Sequence, residues 1–168
     1  MTDLFNNRYR IQSARLPDWD YAANGMYFIT ICTKNKEKFF GSLENDLVEL
    51  NQVGLLVNAF WQNIPNHFPS ANLDTYVVMP NHLHGIIYIS SGITDLQPKQ
   101  KQTISSIIGS FKSACTKTIN EQYPDIPFGW QARFHDHIIR NKQSLDQIRD
   151  YINNNPRQWH LDKENLSP

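Results

Sequence analysis

The stretch Tyr76-Val77-Val78-Met79-Pro80-Asn81-His82-Leu83-His84-Gly85-Ile86-Ile87-Tyr88-Ile89 carries two imidazoles separated by one residue. The β-branched and aromatic runs on either side of Pro80-Asn81 predict two strands joined by a tight turn, with His82 and His84 opening the second. Strand side chains alternate between faces, so both imidazoles project from one face while Leu83 enters the core on the other. Such a pair can ligate a metal ion; the plainer reading of the same spacing is a half-buried strand whose two outward residues are histidines. Gly85 beside them, inside a strand, predicts close approach of another backbone or of a ligand.

A nucleophile has to come from elsewhere in the chain. Among seven tyrosines, Tyr151 stands out because Asn155 follows it by four residues near a predicted helix end. Residues four apart share a helix face, so a phenol and an amide oxygen could be presented together to the histidine pair. The alternative for Tyr151 is amphipathic packing beside a Leu/Ile stripe. Pro156 predicts a bias of Asn155 away from helical geometry.

The elements that must position these groups follow from periodicity. Residues 1 to 25 lack a sustained period and read as an irregular arm, with Arg8-Tyr9-Arg10 suited to phosphate contact and base stacking. Met26 to Thr33 is β-branched and aromatic and predicts a first strand. Lys34 to Lys38 reads as a polar turn or strand extension, and Asp46 to Leu50 as a short strand or helix start. Asn51 is a predicted N-cap, followed by Val53, Leu56, Val57, Phe60, Trp61 and Ile64 at helical spacing, with Pro65 as the stop. Asn66 to Leu73 is expected to be a loop in which His67 is incidental, and Ser91 to Lys101 a polar, mobile connection.

A second helix is predicted over about Thr103 to Gln122, buried through Ile104, Ile107, Ile108, Phe111, Cys115 and Ile119. After the Pro124, Pro127 and Gly129 segment, Phe134 to Ile139 reads as an edge strand. The last helix is placed near Ser144, with Ser144 and Gln147 at capping-box spacing and Leu145, Ile148 and Ile152 as its stripe. Strands with two long amphipathic helices and a separate terminal helix predict an α+β two-layer domain.

Composition bounds the rest. With 168 residues, 40% hydrophobic and 12% aromatic, the chain suits one well-packed domain, 1–168, with an arm over 1–25 and a tail over 156–168. It shows neither a membrane span nor the charged-then-apolar start of a signal peptide, so a cytoplasmic protein is expected. Cys32 and Cys115 are too few for a disulfide framework and read as reduced core residues. Sixteen basic residues balance sixteen acidic ones, so any nucleic-acid surface must be local. Its candidates are Arg8, Arg10, Arg15, Lys112, Arg133 and Arg140, with Lys34, Lys36 and Lys38 as a further basic run; a solvated face is the plain alternative for each.

Pro80-Asn81-His82-Leu83-His84 resembles the histidine-hydrophobic-histidine motif of the single-tyrosine transposases, in the form seen in the IS200-like, REP-associated tyrosine transposase branch. Tyr27 to Thr33, Phe40-Gly41, Leu50-Asn51, Ile64 to Pro69, Phe111-Lys112-Ser113, Trp130-Gln131, Asp136 to Arg140, and Tyr151-Ile152 with Asn155-Pro156 fall in that family's order, across nearly the whole chain. The resemblance implies a ferredoxin- or RRM-like antiparallel sheet backed by two helices, with the tyrosine on an additional C-terminal helix. It implies Tyr151 as nucleophile, His82, His84 and Asn155 as ligands of Mg2+ or Mn2+, and single-stranded, hairpin-containing DNA as substrate. Nicking and rejoining would run through a 5′-phosphotyrosine. It implies nucleoid association in a bacterial cytoplasm, and it leaves open a homodimer and whether Tyr151 serves its own subunit. His135 departs from the pattern, where an aromatic is expected. Two rivals remain: a module that binds a DNA or RNA hairpin without cutting it, and a metal-dependent hydrolase that uses water.

Overall fold

A computed structural model describes residues 25–90 and 102–161, together with the backbone of two short strands, β1 (Leu4–Phe5) and β2 (Arg8–Tyr9), which pair antiparallel. The arm expected over 1–25 therefore contains a small hairpin, while Arg10, Arg15 and the connection expected over 91–101 lie outside the described residues.

The main sheet is built from β3 (Gly25–Cys32), β6 (Ala71–Met79), β7 (His82–Ile89) and β8 (His135–Ile139), in the order β6-β7-β3-β8 and antiparallel throughout. With α1 (Gln52–Gln62) after β3 and α3 (Ile104–Gln122) after β7, the element order is β-α-β-β-α-β. That order, with the first strand at the centre, is the ferredoxin-like arrangement.

Each strand divides its residues between two faces. Tyr27, Ile29, Ile31, Leu83, Ile87 and Ile89 join Val53, Val57 and Trp61 of α1 and Ile104, Ile107, Ile108, Phe111, Cys115 and Ile119 of α3 in the larger core. On the opposite face Phe28, Ile86 and Ile139 pack with Ile148 and Ile152 of α4 (Lys142–Asn154) in a smaller one. The sheet is thus helix-covered on both sides. Both cysteines are buried and neither is in a disulfide, and burial pushes the Cys115 thiol well above its ordinary range.

Several local expectations are corrected by the structure. Asn45 and Asp46 both take positive φ (52° and 62°) and form a two-residue turn between β4 (Gly41–Glu44) and β5 (Leu47–Leu50), so the strand-or-helix alternative over Asp46 to Leu50 resolves as a strand, paired with one that the sequence did not predict. Asn and Asp tolerate this conformation, which matches the twist of paired strands. Asn51 caps α1 as expected, its Oδ1 accepting the Gly54 N–H at 2.9 Å. Pro65, however, does not end the helical run; it sits in the first turn of a short α2 (Ile64–His67), where a missing N–H costs nothing. Strand β6 begins at Ala71, inside the expected loop, with an irregularity between Leu73 and Tyr76.

The last helix starts earlier than Ser144. Asn141 is its cap, accepting the Ser144 N–H at 2.8 Å, so Ser144 occupies the third helical position rather than the cap. Among the described residues no helix is long and apolar enough to cross a membrane.

Candidate active site

His82 and His84 are fully buried on the α4 side of β7, and their rings approach each other with centroids 4.5 Å apart. Leu83 points the other way into the larger core, as alternation requires. The close approach foreseen at Gly85 is to a side chain: a Cβ there would stand 2.4 Å from Cζ2 of the buried Trp61. Only glycine lets the indole of α1 press against the strand at that level.

Each histidine is oriented through its Nδ1. The side-chain amide of Asn81 donates from Nδ2 to the Lys36 carbonyl (3.1 Å), so its Oδ1, 2.7 Å from His82 Nδ1, is the accepting end. His82 therefore carries its proton on Nδ1, and Nε2 presents a lone pair. His84 Nδ1 lies 2.8 Å from the Thr30 hydroxyl on the neighbouring strand. Partners of this kind fix the ring orientation of histidines that ligate metals.

The turn before the histidines is tied down in the same way. The Thr33 N–H and hydroxyl both donate to the Asn81 carbonyl (3.0 Å each), and the Phe40 N–H donates to the Pro80 carbonyl at 2.9 Å. Asn35 and Lys36 adopt left-handed φ of 55° in the tight turn that follows β3. This geometry brings the Lys34, Lys36 and Lys38 loop to the histidine end of the sheet.

The C-terminal stretch lies across the pair. The Tyr151 ring packs edge-on against His84 (5.3 Å) and against Phe28 (6.0 Å), while the Trp159 ring stacks on His82 at 5.8 Å with only 14° between planes. Asn155 stands midway in sequence between these two contacts and is buried, and its Oδ1 accepts no hydrogen bond. The expected distortion before Pro156 is absent: Asn155 has φ −56° and ψ −43°, helical values. Its N–H still reaches the Ile152 carbonyl (3.2 Å), and the Gln158 N–H returns to the carbonyls of Asn154 and Asn155. These turn bonds, with burial of the amide, outweigh the pre-proline preference.

Other sequence candidates are dispersed. Lys112 is half-buried, its ammonium donating to the Gln131 carbonyl at 2.7 Å, and desolvation lowers its pKa. The Trp130 indole donates to the Lys112 carbonyl (3.2 Å) and packs among Phe40, Phe111 and Phe128, so Trp130-Gln131 braces α3 against the end of β3. Arg133 and Arg140 are exposed at the two ends of the edge strand β8. Arg8 lies in β2. His135 is opposite Thr30, and His137 opposite Phe28, on the histidine side of the sheet. Burial and the neighbouring Arg140 lower the pKa of His137, with Asp136 opposing them.

A model of IS200-like transposases matches residues 22–155, from the start of the sheet to Asn155. The chain belongs to the IS200-like transposase family. A relative in Haemophilus influenzae, described as an uncharacterized protein, is 41% identical over 179 aligned positions, covering 97% of this chain and 98% of its own. Two solved structures share the fold. One, a REP-associated tyrosine transposase bound to a REP hairpin, has a TM-score of 0.56 and 22% identity, over 89% of this chain and 77% of the other. The second, a candidate transposase from Deinococcus radiodurans R1, has a TM-score of 0.51 and 15% identity, over 84% and 96%.

Two residues of this IS200-like transposase escaped the sequence reading. Thr30 was hidden because a threonine in a β-branched strand carries no signal of its own. Trp159 lies in a short 3-10 turn, Trp159–Leu161, past any periodic element.

Proposed function

We propose that the chain is a metal-dependent single-stranded DNA transesterase that nicks and rejoins strands through Tyr151, acting at hairpin-containing repeats. The observation that carries this reading is the packing of the Tyr151 ring against His84, one of two buried histidines held by their Nδ1 atoms. The hairpin-bound structural neighbour supports structured DNA as the substrate class.

The donor set fits a divalent cation. Two imidazoles with engaged Nδ1 atoms offer Nε2, and the buried Oδ1 of Asn155 offers a hard amide oxygen. Among the described residues no group of three or more His, Cys, Asp or Glu is gathered to hold a metal, and the Asn155 amide is the third protein ligand in this reading. Mixed imidazole and oxygen donors, with a phosphate oxygen added, suit Mg2+ or Mn2+. When bound, the ion supplies Lewis-acid polarisation of a phosphoryl oxygen.

Tyr151 does the bond-making. Its phenolic oxygen attacks the phosphorus in line, the P–O3′ bond breaks, and the 3′-oxygen gains a proton as the phenol loses one. The products are a 5′-phosphotyrosine and a free 3′-hydroxyl. Because one phosphodiester-like ester replaces another, a 3′-hydroxyl can reverse the reaction without ATP. A phenol of pKa about 10 is mostly protonated at neutral pH, so its proton has to be removed during attack.

Incubation with manganese and hairpin-bearing single-stranded DNA should leave a denaturation-resistant adduct that maps to Tyr151 and keeps label placed 3′ of the nick. Tyr151→Phe should abolish the adduct while manganese and DNA binding stay within about threefold of wild type. An adduct persisting in Tyr151→Phe would move the nucleophile elsewhere. Cleavage with no adduct would favour a hydrolase, and tight binding without cleavage a binding module.

A further inference from the structure

The indole of Trp159 is half-buried beside His82, beyond the 22–155 segment shared with the family, and nothing in the transesterification just described uses it. One face of the ring is stacked on the imidazole, and the Lys38 ammonium stands 5.8 Å from the ring centroid. Lys38 is exposed, at the end of the basic loop that Asn81 and Thr33 fasten to the histidine turn. An exposed lysine over a half-buried indole is held weakly, whereas a nucleobase stacking on the same surface buries both π-faces. The two should exchange readily.

The positions of the rings define a side. Tyr151 lies against His84 and Trp159 against His82, so a phosphate seated at the histidine pair has the phenol toward one flank and the indole toward the other. In-line displacement puts the departing 3′-oxygen opposite the attacking phenol. We propose that Trp159 and Lys38 form a subsite for the nucleotide on the leaving side of the scissile phosphate, the base stacking on the indole and the displaced ammonium moving to an adjacent phosphate. The existence of the subsite stands on the ring geometry; its sidedness rests on Tyr151 being the nucleophile.

Fluorescence anisotropy with single-stranded dT12 and manganese, on the full chain carrying Tyr151→Phe to prevent cleavage, tests the subsite. Trp159→Ala should weaken dT12 binding about tenfold, Trp159→Phe should stay within about threefold, and Lys38→Gln should lower the salt dependence by about 0.7 in log–log slope. Calorimetric manganese affinity should be unchanged in all three. Undiminished dT12 binding by Trp159→Ala would overturn the proposal. So would a loss of manganese in step with DNA, which would make Trp159 a brace for His82 only. On a strand where the Tyr151 adduct maps, an abasic site immediately 5′ of the nick should reproduce the Trp159→Ala loss and add nothing to it. If only a site immediately 3′ does so, the assigned side is wrong. Absence of any adduct would sink the nucleophile reading and leave the dT12 comparison to decide the subsite.

Discussion

One face of the four-stranded sheet is filled with Ile, Leu, Tyr and Trp against two long helices; the other, at its histidine end, buries two imidazoles beneath the stretch from Tyr151 to Trp159, which buries the Asn155 amide in its own turn. The first face is closed by shape, and each side chain there is replaceable only at a cost in packing. The second carries polar atoms oriented through hydrogen bonds with Thr30 and Asn81. Strand β7 belongs to both, and its alternation of His, Leu and His sets an apolar packing residue between two buried polar ones.

Substitutions along β7 should therefore sort by face. Leu83→Ala, on the apolar side, should cost about 2–5 kcal/mol, a drop in melting temperature of about 2–4 °C for each kcal/mol in a chain of this size. Gly85→Ala drives a methyl into the Trp61 ring and should cost about 1–3 kcal/mol; combining it with Trp61→Phe should recover part of its own loss, read as non-additive melting shifts. If Gly85→Ala melts like wild type, the indole is not pressed against the strand.

A smaller effect is expected where α4 meets the edge of the sheet. Arg149 donates from Nε and a terminal nitrogen to the two oxygens of Asp74 at 2.8 and 2.7 Å, which holds the Asp74 carboxyl well below its ordinary value of 3.8. Because the group is part-exposed, Arg149→Ala should cost only about 1 kcal/mol. With the folded-state pKa depressed, this contribution is full above pH 3.8 and is lost as the pH falls below it. Acid melts of Arg149→Ala and wild type should accordingly draw together progressively as the pH falls from that value through the depressed folded-state pKa; a gap that does not narrow as the pH falls would refute the linkage.

The smallest change in stability should come from the histidines themselves. Replacing both partners of a buried hydrogen bond by apolar groups of similar shape removes two desolvated polar groups together, so His84→Leu combined with Thr30→Val should shift stability by less than about 1 kcal/mol. The same change should abolish calorimetric manganese binding, and Asn155→Ala should weaken it about tenfold. Manganese affinity that survives His82→Ala combined with His84→Ala would remove the metal site.

Much of this division was legible in the sequence. The His-Leu-His alternation fixed which face each residue takes, and the apolar stripes of α1, α3 and α4 gave the helices that cover them. What the sequence withheld were features that depend on partners far along the chain. Thr30 meets His84 only through the pairing of β3 with β7, and the indole beside Gly85 comes from α1. The cap of α4 was misplaced because Asn141 and Ser144 are both good capping residues, and only backbone geometry distinguishes them. Pro156 misled for a related reason: its local preference was real but smaller than the turn bonds and burial that hold Asn155 helical.

The connection between β8 and α4 consists of Arg140 and Asn141 alone, and Asn141 is already committed as the helix cap. Two residues span at most about 7 Å, less than the roughly 10 Å width of a helix. So short a tether sets the first turn of α4 directly against the end of the edge strand, and Tyr151, nine residues into the helix, inherits its place from that one junction.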